Sequence, residues 1–196
     1  MSKAGPDPLD PLVIDTRALQ LLRRPGSMIA VERDVAAPAD FGVVMARVPV
    51  DSTIELDLRL ESVMEGVWVS GSADIEVEGE CARCLEPVGW GETLEIAQMF
   101  EYEATDARGK ALPMPEGEED EEVLPVIHDD LIDLTEVLRD AVVLALPLAP
   151  LCSADCPGLC PECGILLAEA PEHAHEQIDP RWAALGGLVP PDDSQR

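Results

Sequence analysis

From residue 44 onward apolar and polar positions alternate. Val44, Ala46, Val48 and Val50 lead into Ile54, Leu56, Leu58 and Leu60, which are interleaved with Glu55, Asp57 and Arg59. A period of two describes strands buried on one face and wet on the other. The alternation resumes in Val67, Val69 and Gly71 and again in Ala73, Ile75 and Val77, with Glu65-Gly66 and Gly71-Ser72 offering turn or bulge chemistry. Leu94 to Phe100 reads as a further strand. Upstream, residues 10–35 read as an extended apolar stretch and then a short helical turn that Pro25-Gly26 ends. One segment changes period: Leu134, Val137, Leu138, Ala141, Val142 and Ala145 recur at helical spacing, so one face of that helix belongs on the sheet. Asp133, with Glu136 three residues later, is placed to cap its start, and Pro147 stops it.

Residues 101–125 follow neither period. The run from Glu116 to Glu122 holds six acidic side chains around Gly117 and is flanked by Pro113, Pro115 and Pro125, so like charges resist packing there. The organisation expected is therefore an N-terminal strand segment with an antiparallel β-body at 1–103, an acidic mobile loop at 104–126, a helix with its following segment packed on the β-body at 127–188, and a flexible tail at 189–196. The first residues lack the basic and apolar regions of a secretory signal, and no stretch of about 18 apolar residues occurs. A cytoplasmic protein without membrane contact is the expectation.

Charge and cysteine change the picture most. The formal net charge is -27, from 40 acidic and 13 basic residues. Phosphate backbones are attracted by clustered Lys and Arg, so this balance argues against a simple nucleic-acid binder and leaves RNA contact to a local basic patch or makes the direct partner a basic protein. Thiols in a reducing compartment remain available for coordination. They fall here as Cys81-Ala-Arg-Cys84 and Cys152-Ser-Ala-Asp-Cys156-Pro-Gly-Leu-Cys160-Pro-Glu-Cys163-Gly164. A CxxC turn puts both sulfurs on one side of a tight loop, suited to two vertices of the tetrahedron that Zn2+ prefers. The second pair, followed by Gly164, has the make-up of a zinc knuckle.

After nine intervening residues Cys163 is followed by His173 and then His175, so Cys160, Cys163, His173 and His175 supply four donors within sixteen residues. Cys81, Cys84, Cys152 and Cys156 then form a second set that staples the sheet to the segment after the helix. Two other partitions remain open: Cys81 and Cys84 with Cys160 and Cys163, or Cys152, Cys156, Cys160 and Cys163 together. One or two Zn2+ ions are expected. Catalytic zinc keeps an open vertex beside a general base, as in HExxH, and no such pattern is present; thioredoxin-type redox chemistry needs its CxxC to open a helix, whereas Cys84 is followed by Leu-Glu-Pro and another strand. His128, beside Asp129 and Asp130, reads as a loop or helix-opening residue. The fold class is α+β: an antiparallel sheet or partly open barrel, one main helix packed on it, and a C-terminal zinc-knuckle segment.

Several stretches in order resemble the YceD family of bacteria and plastids: Gly79 to Pro87, Leu146 to Cys152, Asp155 to Gly164, and Ile178-Asp179-Pro180-Arg181-Trp182-Ala183-Ala184-Leu185. Ile14-Asp15-Thr16-Arg17 and Arg24-Pro25-Gly26-Ser27 resemble its actinobacterial branch. The resemblance implies a non-enzymatic part in accumulation or processing of the large-subunit (23S) ribosomal RNA, together with a small basic ribosomal protein of the large subunit. Where many relatives carry a C-x-C pair after the knuckle this chain has His173-Ala174-His175, a substitution competent for zinc. The Asn-rich step after the knuckle is here Ile165-Leu166-Leu167. If RNA is touched directly, Arg17, Arg23, Arg24 and Arg83 are the candidate patch. Oligomeric state is left open.

Overall fold

The computed structural model describes residues 5–21, 24–103 and 124–175. Its strands, in chain order, are β1 (Val13–Asp15), β2 (Met28–Ala36), β3 (Ala46–Arg47), β4 (Thr53–Ser62), β5 (Gly66–Glu80), β6 (Pro87–Tyr102), β7 (Val126–Ile127) and β8 (Leu131–Asp133), followed by the helix α1 (Thr135–Ala145). The main sheet is open, in the order β2-β4-β5-β6-β7, with β3 added against the far end of β5; β1 and β8 pair separately. All pairs are antiparallel except β6 with β7. The result is mostly sheet with one short helix, compatible with an α+β class.

The alternation seen in the sequence is the alternation of burial. Ile54, Leu56, Leu58 and Leu60 of β4 and Val67, Val69, Ala73, Ile75 and Val77 of β5 form a continuous inner face with Leu94, Ile96 and Phe100 of β6. Glu55, Asp57 and Arg59 stand in water. Leu138 and Val142 of α1 close over this face, and α1 packs chiefly on β6. Burying such residues is worth about 1.5–3 kcal/mol each, so this interface, rather than helix propensity, holds α1 in place.

Four expectations need correction. Gly71-Ser72 is neither turn nor bulge: β5 runs through it in unbroken register, from Glu55↔Asp74 to Ser62↔Val67. Gly71 is needed because a Cβ there would lie 2.0 Å from the Asp57 carbonyl oxygen, and its φ of +147° suits glycine. Residues 10–35 hold all but the last residue of a nine-residue strand, β2, whose period is hidden because Arg33 occupies an inward position. That arginine reaches beneath the sheet, donating from Nη1 to the carbonyls of Pro11 at 3.0 Å and Val13 at 3.1 Å. The stretch from Val44 to Val50 shrinks to the two residues of β3, since Val43 N–H turns back onto the Ala46 carbonyl and Val44 is fully exposed. Finally, Asp133 is the last residue of β8, paired with Val13, so the backbone cap of α1 is Leu134; the Asp133 carboxylate still accepts the Thr135 N–H at 2.9 Å.

The predicted acidic loop lies almost wholly in residues 104–123, and the tail and the stretch from Ile178 to Leu185 in 176–196; both lie outside the described residues. Among the described residues no helix is long and apolar enough to cross a membrane.

Candidate metal centres

The hairpin of β5 and β6 ends in residues 81–86, and this tip folds as a knuckle. Cys81 N–H donates to the Glu86 carbonyl at 2.8 Å, and Leu85 N–H donates back to the Cys81 carbonyl at 2.9 Å. The later CxxC repeats the pattern: Cys160 N–H to Ile165 O at 2.9 Å and Gly164 N–H to Cys160 O at 2.8 Å. Such closure requires a left-handed residue just after the second cysteine. Gly164 supplies it at φ 73°, and Leu85 does so at φ 62° despite its side chain.

These two knuckles nucleate two separate groups of donors. Cys81, Cys84, Cys152 and Cys156 converge in one, and Cys160, Cys163, His173 and His175 in the other; within each group the ligand atoms all lie within 4.8 Å of one another. Of the three partitions the sequence allows, this is the one the fold assembles. Either group could hold a metal ion. In the first, Sγ of Cys81 is 3.8 Å from that of Cys156, and Sγ of Cys84 is 3.7 Å from that of Cys152. A tetrahedron with bonds of about 2.3 Å to sulfur has edges of about 3.8 Å, so the thiol cage has the dimensions of a four-sulfur site. In the second, Cys163 Sγ lies 3.2 Å from His173 Nε2 and 3.3 Å from His175 Nε2, and the two imidazole nitrogens are 2.8 Å apart. The rings stand nearly perpendicular, at 87°, so both Nε2 atoms turn toward the same point.

Electrostatics prepares the thiols unequally. Amide donors from Cys152 and Cys84 hold Cys81 down at about 6, and those of Cys163 and Glu162 do the same for Cys160. Cys84 also receives a backbone donor, from Glu86, yet burial and three neighbouring thiols push it up to about 12. The Cys156 side chain raises Cys152.

Arg83 joins the two groups. Its Nη1 donates to the carbonyls of Ala154 at 3.2 Å and Cys156 at 3.0 Å, while its own carbonyl accepts the Leu159 N–H at 3.1 Å. Gly158 passes so close that a Cβ would sit 3.0 Å from the Arg83 carbonyl oxygen. Glu162 contributes outside the donor set: Oε2 lies 3.4 Å from Nδ1 of His175, leaving Nε2 free to face the other donors. Neither role is visible in the sequence, where Arg83 reads as part of a candidate RNA-contacting patch.

Of the candidate RNA-contacting arginines, Arg83 sits at the candidate metal centres. Arg17 pairs with the Asp130 carboxylate in the turn before β8, and Arg83 is bonded as above. Arg24 is exposed just ahead of β2, and Arg23 lies outside the described residues. His128 lies in the short turn between β7 and β8, bridged to Leu131, with Nδ1 at 3.6 Å from Glu103.

Fold and site together define a β-sheet protein with a paired Cys/His appendage clamped to the tip of its longest hairpin. The chain belongs to the YceD family: the family model, described as "Large ribosomal RNA subunit accumulation protein YceD", matches residues 69–189. Uncharacterised proteins of Mycobacterium tuberculosis and Mycobacterium bovis are each 43% identical over 93% of this chain and 83% of their own. One of Mycobacterium leprae is 37% identical over 95% of this chain and 82% of its own, and YlbN of Bacillus subtilis is 28% identical over 73% and 88%. No solved structure matches the chain.

Proposed function

We propose that this protein is a non-enzymatic, cytoplasmic ribosome biogenesis factor that supports accumulation of the large-subunit 23S ribosomal RNA by way of a basic ribosomal protein, with two structural Zn2+ ions holding its appendage. The observation that carries the role is the family match across both cysteine clusters. Zinc is supported by the donor chemistry: four thiols with tetrahedral edges in one group, and two thiols with two imidazoles in the other. When bound, the ion would hold the thiols as thiolates and cross-link chain segments that share little core. Each group already offers four side-chain donors, so no vertex is left for an activated water, and the Glu162 carboxylate faces a ligand ring.

Contact through protein rather than RNA is favoured by the net charge and by the commitment of Arg17 and Arg83 to partners within the chain. Depletion of the protein should lower 23S relative to 16S RNA, and purification at native abundance should bring down a basic large-subunit protein with about two zinc per chain. An unchanged RNA ratio would sink the role, and fewer than one zinc per chain would sink the metal assignment. Strong RNA retention at moderate salt, lost on changing Arg17, Arg24 and Arg83, would overturn the protein-first order. An insulin-reduction assay should show no turnover by Cys81 and Cys84.

A further inference from the structure

Among the described residues β2 pairs only with β4, so one whole edge of the sheet is open. The phase of the ladder decides which groups face outward. At one end Ser62 N–H donates to Ser27 O at 2.8 Å, and at the other Ala37 N–H donates to Ser52 O at 2.8 Å, in the register that also pairs Val31 with Leu58. Odd-numbered residues therefore bond to β4, and the backbone N–H and C=O of Ala30, Glu32 and Asp34 point away from it. Exposed edges of this length invite another strand.

The side chains of those outward residues lie on the wet face in a field of one sign. Glu32 is opposite Asp57; Asp34 is opposite Glu55, which is opposite Asp74. Like charges directly across a sheet destabilise it. Neither nearby arginine relieves them, because Arg33 is turned under the sheet to Pro11 and Val13, and Arg59 is turned to the Met28 sulfur at 3.0 Å. These carboxylates, together with Arg33 and Leu56, border a shallow depression of about 440 Å³. These charges repel a second copy of a chain at -27, and phosphate as well, while they complement a cationic strand.

We propose that the β2 edge receives an extended Lys/Arg-rich protein segment as an added strand, bonded through Ala30, Glu32 and Asp34, with alternate cationic side chains over Glu32, Asp34, Glu55 and Asp57. The nature of the partner rests on the function proposed above; the docking edge does not. The test uses the full, zinc-loaded chain and a synthetic decapeptide of alternating lysine and threonine, followed by amide hydrogen exchange. Binding should slow exchange at Ala30, Glu32 and Asp34 selectively. The paired change Glu32→Gln/Asp34→Asn should weaken binding about tenfold, and so should methylating alternate backbone nitrogens of the peptide, which removes strand hydrogen bonds without changing charge. Equal binding by the methylated peptide, protection elsewhere, or stronger binding of a single-stranded RNA oligonucleotide would overturn the proposal. Loss of edge binding with ribosomal co-purification intact would refute this docking mode alone; edge binding with an unchanged 23S:16S ratio would refute the biological role alone.

Discussion

The two candidate metal centres share a backbone and differ in everything around it. Each starts from a knuckle with the same pair of hydrogen bonds, but the first is built of four thiols, three of them buried, on the tip of a long hairpin, whereas the second mixes thiols with imidazoles and keeps only Cys160 buried. The first draws donors from segments far apart in the chain, and Cys84 and Cys152 are 68 residues apart. The second is local, with Cys163 and His175 separated by 12. Sequence distance thus predicts different roles: an ion in the first would fix tertiary structure, and one in the second would order a short segment laid on the first.

The sharpest way to break this comparison is to remove one donor from each. Cys156→Ser should cut zinc content to one ion or fewer and lower the melting temperature by about 10 °C or more, while Cys163→Ser should remove one ion and cost less than half as much. Equal losses would mean that the centres are equivalent. Chelation should separate them next: the second centre, exposed at Cys163, should lose metal at least about ten times faster than the first, as read by a colorimetric zinc indicator. Glu162→Gln should lower affinity at the second centre alone by about tenfold, because His175 loses its orienting partner, and cobalt titration would resolve the two absorption envelopes.

Smaller effects should appear with pH in the metal-free chain. Cys81 and Cys160 are lowered from 9.0 to about 6, so their contribution to stability is complete above 9.0, declines as pH falls and is gone below about 6. Cys84 is raised from 9.0 to about 12, so its contribution is complete below 9.0 and is lost as pH rises toward about 12. Denaturation midpoints should therefore peak near pH 9, and a flat profile from pH 6 to 11 would remove the argument. The smallest effect expected is from Leu85→Gly, which relieves a left-handed leucine at the cost of a more flexible unfolded chain; a gain of about 1 kcal/mol, read as roughly 2–4 °C, is the outcome. Gly164→Leu should lose a similar amount.

The β-body was legible wherever inward positions carry mostly Val, Ile or Leu, as in β4 and most of β5. It failed at β2 because a single inward Arg33 erases the period, and at Gly71 because a glycine that permits close approach of two strands looks like one that permits a turn. The donors were legible residue by residue, since thiols and imidazoles at knuckle spacing have few other uses. Their partition was not, because it depends on where α1 returns the chain. Leu85 concealed the likeness of the two knuckles: the backbone turn is the same, but the usual glycine signal is missing. Arg83 was hidden for another reason, in that a cation bonding to carbonyls leaves no pattern in the sequence.

The placement of the first centre at a hairpin tip also has a consequence in time. The strands β5 and β6 and the thiols of Cys81 and Cys84 are complete as soon as Tyr102 has been made. Their other two sulfurs come much later: at roughly 5–20 residues per second, the 68 residues from Cys84 to Cys152 take roughly 3–14 seconds to synthesise. During that interval the nascent chain presents an unfinished two-sulfur claw. Its completion marks the moment at which the helix has been synthesised and has returned to the sheet.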